Sequence, residues 1–513
     1  MFKRSLSRAS ATRAVLTLAP VLLLVGVSGE IAPAAPRTNL RALLVGGGPD
    51  PEYNQAAIEG NVRYVSRILP RSTSRTTLFA DGNPRRATVL AYETAFVAAQ
   101  GDHPQGDYLL QMVLAEDAGT QRYRMPRLET LLDGPATRPG IEKAFAQLSR
   151  APGKSPLLLY FTGHGSENTD NQANNFYNLW GADNLSVRDL SQQIARLPAT
   201  APITVIMVQC YSGAFGNLLF KNGDPRAGLV ERDIVGFFAS TPRRMAAGCT
   251  ADVNEAEYHD FTSYFFAALV GRDRVGRRVT GADYNRDGRV GMDEAFYYTL
   301  THDKSIDVPV STSDVFLRHF VTLPETQTAQ ISYLTLRGWA TSAQRAALDA
   351  LSQRAGLTGN NRLQEARDQL ARTSSIGSGL ESWRGLYRYG QSYERYETTR
   401  KAARAKLIER WPALTAPGSA GYAQARQAAV AQLTRDEKDG LLKDLLDARR
   451  QVQSSYDTAQ ATELRQAYTL RFLRLGHSIA LAQELRRKGP SNVVARFNRL
   501  LAGESKSLIP PVR

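Results

Sequence analysis

Two apolar runs in this sequence end in side chains that can move a proton or attack a carbonyl. Leu157-Leu158-Leu159-Tyr160-Phe161-Thr162 leads into Gly163-His164-Gly165-Ser166, and Ile203-Thr204-Val205-Ile206-Met207-Val208 leads into Gln209-Cys210-Tyr211-Ser212-Gly213. A thiol of ordinary pKa, about 8.5, is mostly protonated at neutral pH, so it becomes a competent nucleophile when an imidazole takes its proton. The glycines beside His164 let backbone come close to a substrate carbonyl, which makes the Gly165 and Cys210 amides candidate donors for a tetrahedral oxyanion. A single cysteine after a strand is ordinarily a small core residue. Histidine and cysteine at the ends of successive apolar runs are instead the pattern of an acyl-transfer dyad.

A second cluster is made of hard oxygen donors. The stretch from Asp283 to Glu294 fits the EF-hand loop template. Asp283, Asn285 and Asp287 stand at positions one, three and five, Arg289 offers its carbonyl at seven, and Glu294 is the bidentate carboxylate at twelve. Gly288 supplies the sharp turn at position six. The predicted cofactor is a structural Ca2+ that braces the link to the C-terminal region; no organic cofactor is expected.

From Arg41 to about Val270, short apolar runs alternate with amphipathic stretches, the pattern of a parallel sheet covered by helices. Strands are predicted at 42–47, 76–80, 157–162, 203–209 and 234–239, and helices at 55–69, 141–148, 187–197 and 261–270. Reactive groups in such folds gather at the carboxyl ends of strands, where His164 and Cys210 stand. After Phe320 the texture changes to Ala, Gln, Arg and Leu at helical spacing. The stretch 82–139 is an insertion of mixed character.

The chain carries a net charge of +15, and 42% hydrophobic with 22% charged residues is ordinary globular composition, which argues against wholesale disorder. The basic excess belongs to residues 321–513, which hold 30 Lys and Arg against 17 Asp and Glu. Acidic residues are interspersed there, so a solvated helical face is expected rather than specific nucleic-acid binding. Lys3, Arg4, Arg8 and Arg13 precede an apolar run from Ala14 to Val27 and then Ala32-Pro33-Ala34, which predicts a cleaved signal peptide over 1–34 and a periplasmic or secreted protein of bacterial type. No later segment is expected to span a membrane. Only Cys210 and Cys249 are present, too few for a disulfide scaffold, and two free thiols are expected.

The reactive segments resemble the legumain (asparaginyl endopeptidase) family of caspase-fold cysteine peptidases. Residues 160–166 are similar to the family's histidine strand, Asn184-Leu185-Ser186-Val187-Arg188-Asp189-Leu190 to the segment after it, and Tyr53-Asn54 behind Gly46-Gly47-Gly48 to its Tyr-Asn pair. The resemblance continues through Ala239-Ser240-Thr241-Pro242 and Cys249 to His259-Asp260, and so covers residues 40–270. It implies that Asn54 orients His164 and that Gln209, Ser240, Thr241 and Asp260 border a substrate pocket. Gln209 and Ala56 occupy positions that carry pocket charges in the family. Only Asp260 is retained of those pocket charges, so the resemblance leaves cleavage after asparagine open.

The fold this implies is a caspase-like three-layer α/β sandwich with a mostly parallel sheet, spanning 38–320 and including the loop 283–294, followed by an all-helical basic domain over 321–513. The implied activity is that of an exported cysteine endopeptidase working through a thioester on peptide or protein substrates. The helical domain is an expected intramolecular inhibitor, by analogy with the segment that covers the cleft in legumains. The same acyl-enzyme passed to an amine would make a transpeptidase or transamidase. A calcium-stabilised envelope binding protein without catalysis is the alternative from a different class.

Overall fold

A run such as Leu157 to Phe161, apolar at every position, suits a strand covered on both faces, and it lies inside a six-stranded sheet. The computed structural model describes residues 40–93, 109–110, 112–114, 120–128, 131–150, 153–375, 380–416, 418–435 and 441–509. The predicted export segment lies outside these residues. The central strands are β1 (Arg41–Gly47), β2 (Ser74–Phe79), β3 (Leu157–Gly163), β4 (Ile203–Met207), β5 (Ile234–Phe238) and β6 (Val310–Ser311). Their spatial order is β6-β5-β4-β3-β1-β2. The first five run parallel, and the short β6 pairs antiparallel with the end of β5.

Alternate side chains of each strand point to opposite faces. Leu158, Tyr160 and Ile206 join a cluster with Ile58 and Val62 of α1 (Ala56–Ile68). Leu159, Phe161, Val205 and Met207 pack with Phe145 of α2 (Arg138–Ser149) and Leu190 of α3 (Val187–Ala195). The first face is completed by α4 (Phe261–Val270), α5 (Met292–His302) and α6 (Thr312–Phe320). The result is an α/β architecture with helices on both sides of a mostly parallel sheet, in agreement with the strand and helix positions expected from the sequence.

The C-terminal region is helical, again as expected, and its main elements are α7 (Tyr333–Trp339), α8 (Ser342–Ala355), α9 (Arg362–Ser375), α10 (Leu380–Arg410), α11 (Tyr422–Arg435), α12 (Leu441–Lys488) and α13 (Ser491–Glu504). Leu348, Leu351, Phe472 and Leu485 belong to the same buried cluster as Ile58 and Phe265, so these helices share the core of the sheet's first face. Residues 39–513 form one compact unit. The insertion contributes an antiparallel pair, Val89–Glu93 with Thr120–Arg124, and a separate cluster in which Leu109, Leu110 and Val113 pack against Leu407, Ala429 and Leu445. Among the described residues, no helix is long and apolar enough to cross a membrane.

Candidate active site

Strands β3 and β4 pair in parallel with Phe161 opposite Met207. His164 and Cys210 each lie three residues beyond that pair, so both leave the same edge of the sheet on neighbouring strands. The chain order reverses direction across the sheet at β1, whose two neighbours are β2 and β3. A crevice opens at such a switch point because the connections on either side turn to opposite faces. The loop after β1, residues 48–55, therefore meets His164.

That loop is folded back tightly. A Cβ on Gly48 would sit 1.9 Å from the Tyr53 carbonyl oxygen, so only glycine fits. Asn54 closes the loop: its Oδ1 accepts from Gly48 N at 3.3 Å and its Nδ2 donates to Thr88 O at 3.0 Å, with the side chain fully buried. The family resemblance implies that Asn54 orients His164, whereas its side chain here closes the loop. Both hydrogen-bonding ends of its amide are committed to backbone, and Gln55 takes the position against the imidazole, with Oε1 2.9 Å from His164 Nε2. The Tyr53 ring stands edge-on to the imidazole at 5.6 Å. Burial pushes the His164 pKa down, and a hydrogen bond to the Tyr53 backbone and the charge of Asp50 draw it partly back.

Cys210 is half-buried and its thiol is held by the loop after β5. Ala246 N donates to Sγ at 3.3 Å, and Sγ lies 3.7 Å from Ala246 O. Tyr211 N donates to Arg244 O at 2.8 Å, and Tyr211 itself takes a left-handed conformation, φ 60°, that turns the chain sharply behind the nucleophile. Desolvation raises the thiol pKa; the Ala246 amide opposes this and Asp307 adds to it. Thiol and imidazole are not hydrogen-bonded to each other: the ring is held by Gln55 and Tyr53, the sulfur by Ala246. Gly165 closes the gap between the two strand ends, since a Cβ there would lie 2.3 Å from Cys210 O.

The expected pocket residues are distributed more widely. Gln209 is buried beside Gly165, and neither amide atom has a protein partner. Ser240 is sealed in the loop after β5, its hydroxyl donating to Arg244 O at 2.6 Å, while Thr241 Oγ1 accepts from Arg243 N at 3.4 Å. Asp260 caps α4 through Ser263 N at 2.8 Å and accepts from Asn61 Nδ2 at 2.9 Å, with Arg274 3.6 Å away. Its carboxylate is thus engaged from three sides. Cys249 is exposed and its thiol faces Gly163 O at 3.6 Å; both cysteines are free.

In the loop 283–294 the oxygen donors draw the backbone around themselves. Asp283 Oδ2 accepts from Gly288 N at 3.0 Å, Asn285 Oδ1 from Asp287 N at 2.8 Å, and Glu294 Oε1 from Tyr284 N and Asn285 N at 2.8 and 2.9 Å. Asp287 Oδ1 accepts from Arg289 N at 2.9 Å, and Arg286 and Gly288 supply the left-handed turns. Among the described residues, no three of His, Cys, Asp and Glu are grouped as a metal-holding set. A separate cavity of about 270 Å³, lined by Tyr297, Asp314, Arg471 and Glu504 among others, contains none of the residues selected from the sequence.

The sequence matches no protein-family profile and no curated protein. One solved structure matched by the chain is that of a protein from Geobacter sulfurreducens, a structural-genomics target, with 14% identity and a TM-score of 0.29 over 53% of this chain and 92% of that one. At that similarity nothing about activity transfers.

Proposed function

We propose that this protein is a cysteine endopeptidase of legumain-like, caspase-like type, acting after export on peptide or protein substrates. The observation that carries the proposal is the register of β3 and β4, from which His164 and Cys210 leave the same edge of the sheet on neighbouring strands, with β3 bordering the switch point at β1. Gln55 Oε1 and the Tyr53 backbone hold the ring, and the nitrogen of the neutral imidazole that carries no proton is the base. Sγ attacks the scissile carbonyl carbon as its proton passes to that nitrogen. The amides of Gly165 and Cys210 are the donors nearest the developing oxyanion. Collapse breaks the C–N bond while His164 protonates the leaving amine. Water then attacks the thioester, the acid leaves, and the thiol is restored.

The loop 283–294 suits calcium in its donor set: Asp283, Asn285, Asp287 and Glu294 with the Arg289 carbonyl, all hard oxygens around left-handed turns. A bound ion would replace hydrogen bonds that now close the loop and stiffen the start of α5.

The deciding experiment compares the full chain with Cys210→Ala and His164→Ala on a peptide library, with products read by mass spectrometry. Wild-type cleavage should fall by a factor of about 10⁴ or more in either variant. Equal turnover by wild type and Cys210→Ala would end the proposal, as would a thiol-directed acyl probe that labels Cys249 and leaves Cys210 unmodified.

A further inference from the structure

The long helix α12 sends one arginine into the neighbourhood of the nucleophile's supporting loop. Arg471 is buried, 1% exposed, and its guanidinium reads the backbone of the turn after α5. Nε donates to Asp307 O at 2.6 Å, Nη1 to Leu300 O at 3.1 Å and Asp303 O at 2.7 Å, and Nη2 to Ser305 O at 2.8 Å. Its charge is balanced by the fully buried Asp303, 3.5 Å away. The turn is braced internally as well, with Asp303 Oδ1 accepting from Ser305 N and Ser305 Oγ accepting from Asp307 N.

The turn held in this way carries Asp307, whose Oδ1 accepts from Ala247 N at 2.7 Å. The preceding residue is Ala246, whose N–H is directed at Cys210 Sγ. An unbroken chain of contacts therefore runs from Arg471 through residues 300–307 and Asp307 to Ala247, Ala246 and the sulfur. Resting on the peptidase reading of the dyad, we infer that Arg471 and Asp307 are positioning residues that hold the Ala246 amide against the Cys210 thiol. The helical region in this respect supports the loop that holds the nucleophile.

Asp307 faces Arg244, Arg471, Asp303 and Asp260, and burial beside Asp303 keeps its carboxyl protonated well above the usual range. Asparagine has nearly the shape of this side chain and keeps the oxygen that accepts from Ala247 N, which supplies a conservative control. The test uses the full chain as wild type, Arg471→Lys, Asp307→Ala and Asp307→Asn. The rate of iodoacetamide alkylation is followed at Cys210 by peptide mass spectrometry across pH, beside kcat and KM on a cleaved peptide.

Arg471→Lys, which keeps the charge, should move the thiol titration upward, and both Arg471→Lys and Asp307→Ala should lower kcat about tenfold or more, with KM little changed, as expected when an attacking group drifts from its reacting position. Asp307→Asn should restore wild-type behaviour. Folded Arg471→Lys and Asp307→Ala proteins that keep the wild-type titration and kcat would overturn the inference; if the lysine variant does not fold, Asp307→Ala alone decides. A shifted titration in a protein that cleaves no peptide would uphold the positioning role and remove the peptidase reading.

Discussion

Burial pushes the His164 imidazole down and the Cys210 thiol up, and both shifts favour a neutral pair over an ion pair. The sign of the pH dependence follows. Activity needs a neutral His164, so its acid limb should fall below the ordinary imidazole value of 6.5. It also needs the thiol proton to pass to the ring and on to the leaving amine, so the alkaline limb should lie above the ordinary thiol value of 9.0. A profile of kcat/KM against pH that is flat between those limbs is the expected result, and a narrow bell centred near neutrality would contradict it. Gln55→Ala releases Nε2 and should reduce kcat about 10- to 100-fold, with little loss of stability because a single partly buried hydrogen bond is worth about 1 kcal/mol. The reactive pair was legible in the sequence, because glycines flank a histidine and a Ser-Gly turn follows a cysteine. Gln55 was not: neighbouring residues in a tight loop point in different directions, and which one meets the ring depends on how Asn54 closes it.

Strands and their helices were readable for a related reason, since runs apolar at every position have only the interior of a two-faced parallel sheet to occupy. The loop 283–294 is the element whose ligand chemistry is most exposed to test. Calcium at millimolar concentration should raise the unfolding temperature of the full chain, and Asp283→Ala should abolish that rise. A rise of the same size in the variant, or none in the wild type, would remove calcium from this loop. The signal was strong in sequence because the template constrains many positions. The grouping of the donors around an ion is a different matter, as their oxygens now accept hydrogen bonds from the loop's own amides.

The insertion gains a structural meaning in the assembled chain. Leu110, fully buried, packs in a cluster that joins residues 109–114 to the helices around Leu407, Ala429 and Leu445. Leu110→Ala should cost about 2–5 kcal/mol, the usual range for removing a buried leucine side chain. Urea denaturation followed by far-UV circular dichroism measures this, and an unchanged midpoint would show that the cluster contributes nothing to the fold. No periodicity in residues 82–139 pointed to this partnership, because the apolar residues of a short helical segment acquire a partner only when distant helices arrive.

Sequence patterning was enough for the α/β class, the helical C-terminal region, the histidine and cysteine at strand ends, and the oxygen-rich loop, since each is written in adjacent residues whose spacing matches a local geometry. The partner of His164, the amide that holds the sulfur, and the path from Arg471 to Asp307 needed the folded chain. Those contacts join residues separated by as many as 171 positions, as in the Arg471–Leu300 bond, and no local pattern encodes which buried cation will find which backbone carbonyl. Packing decides it, because a guanidinium excluded from water must place its donors on whatever acceptors the closing core presents.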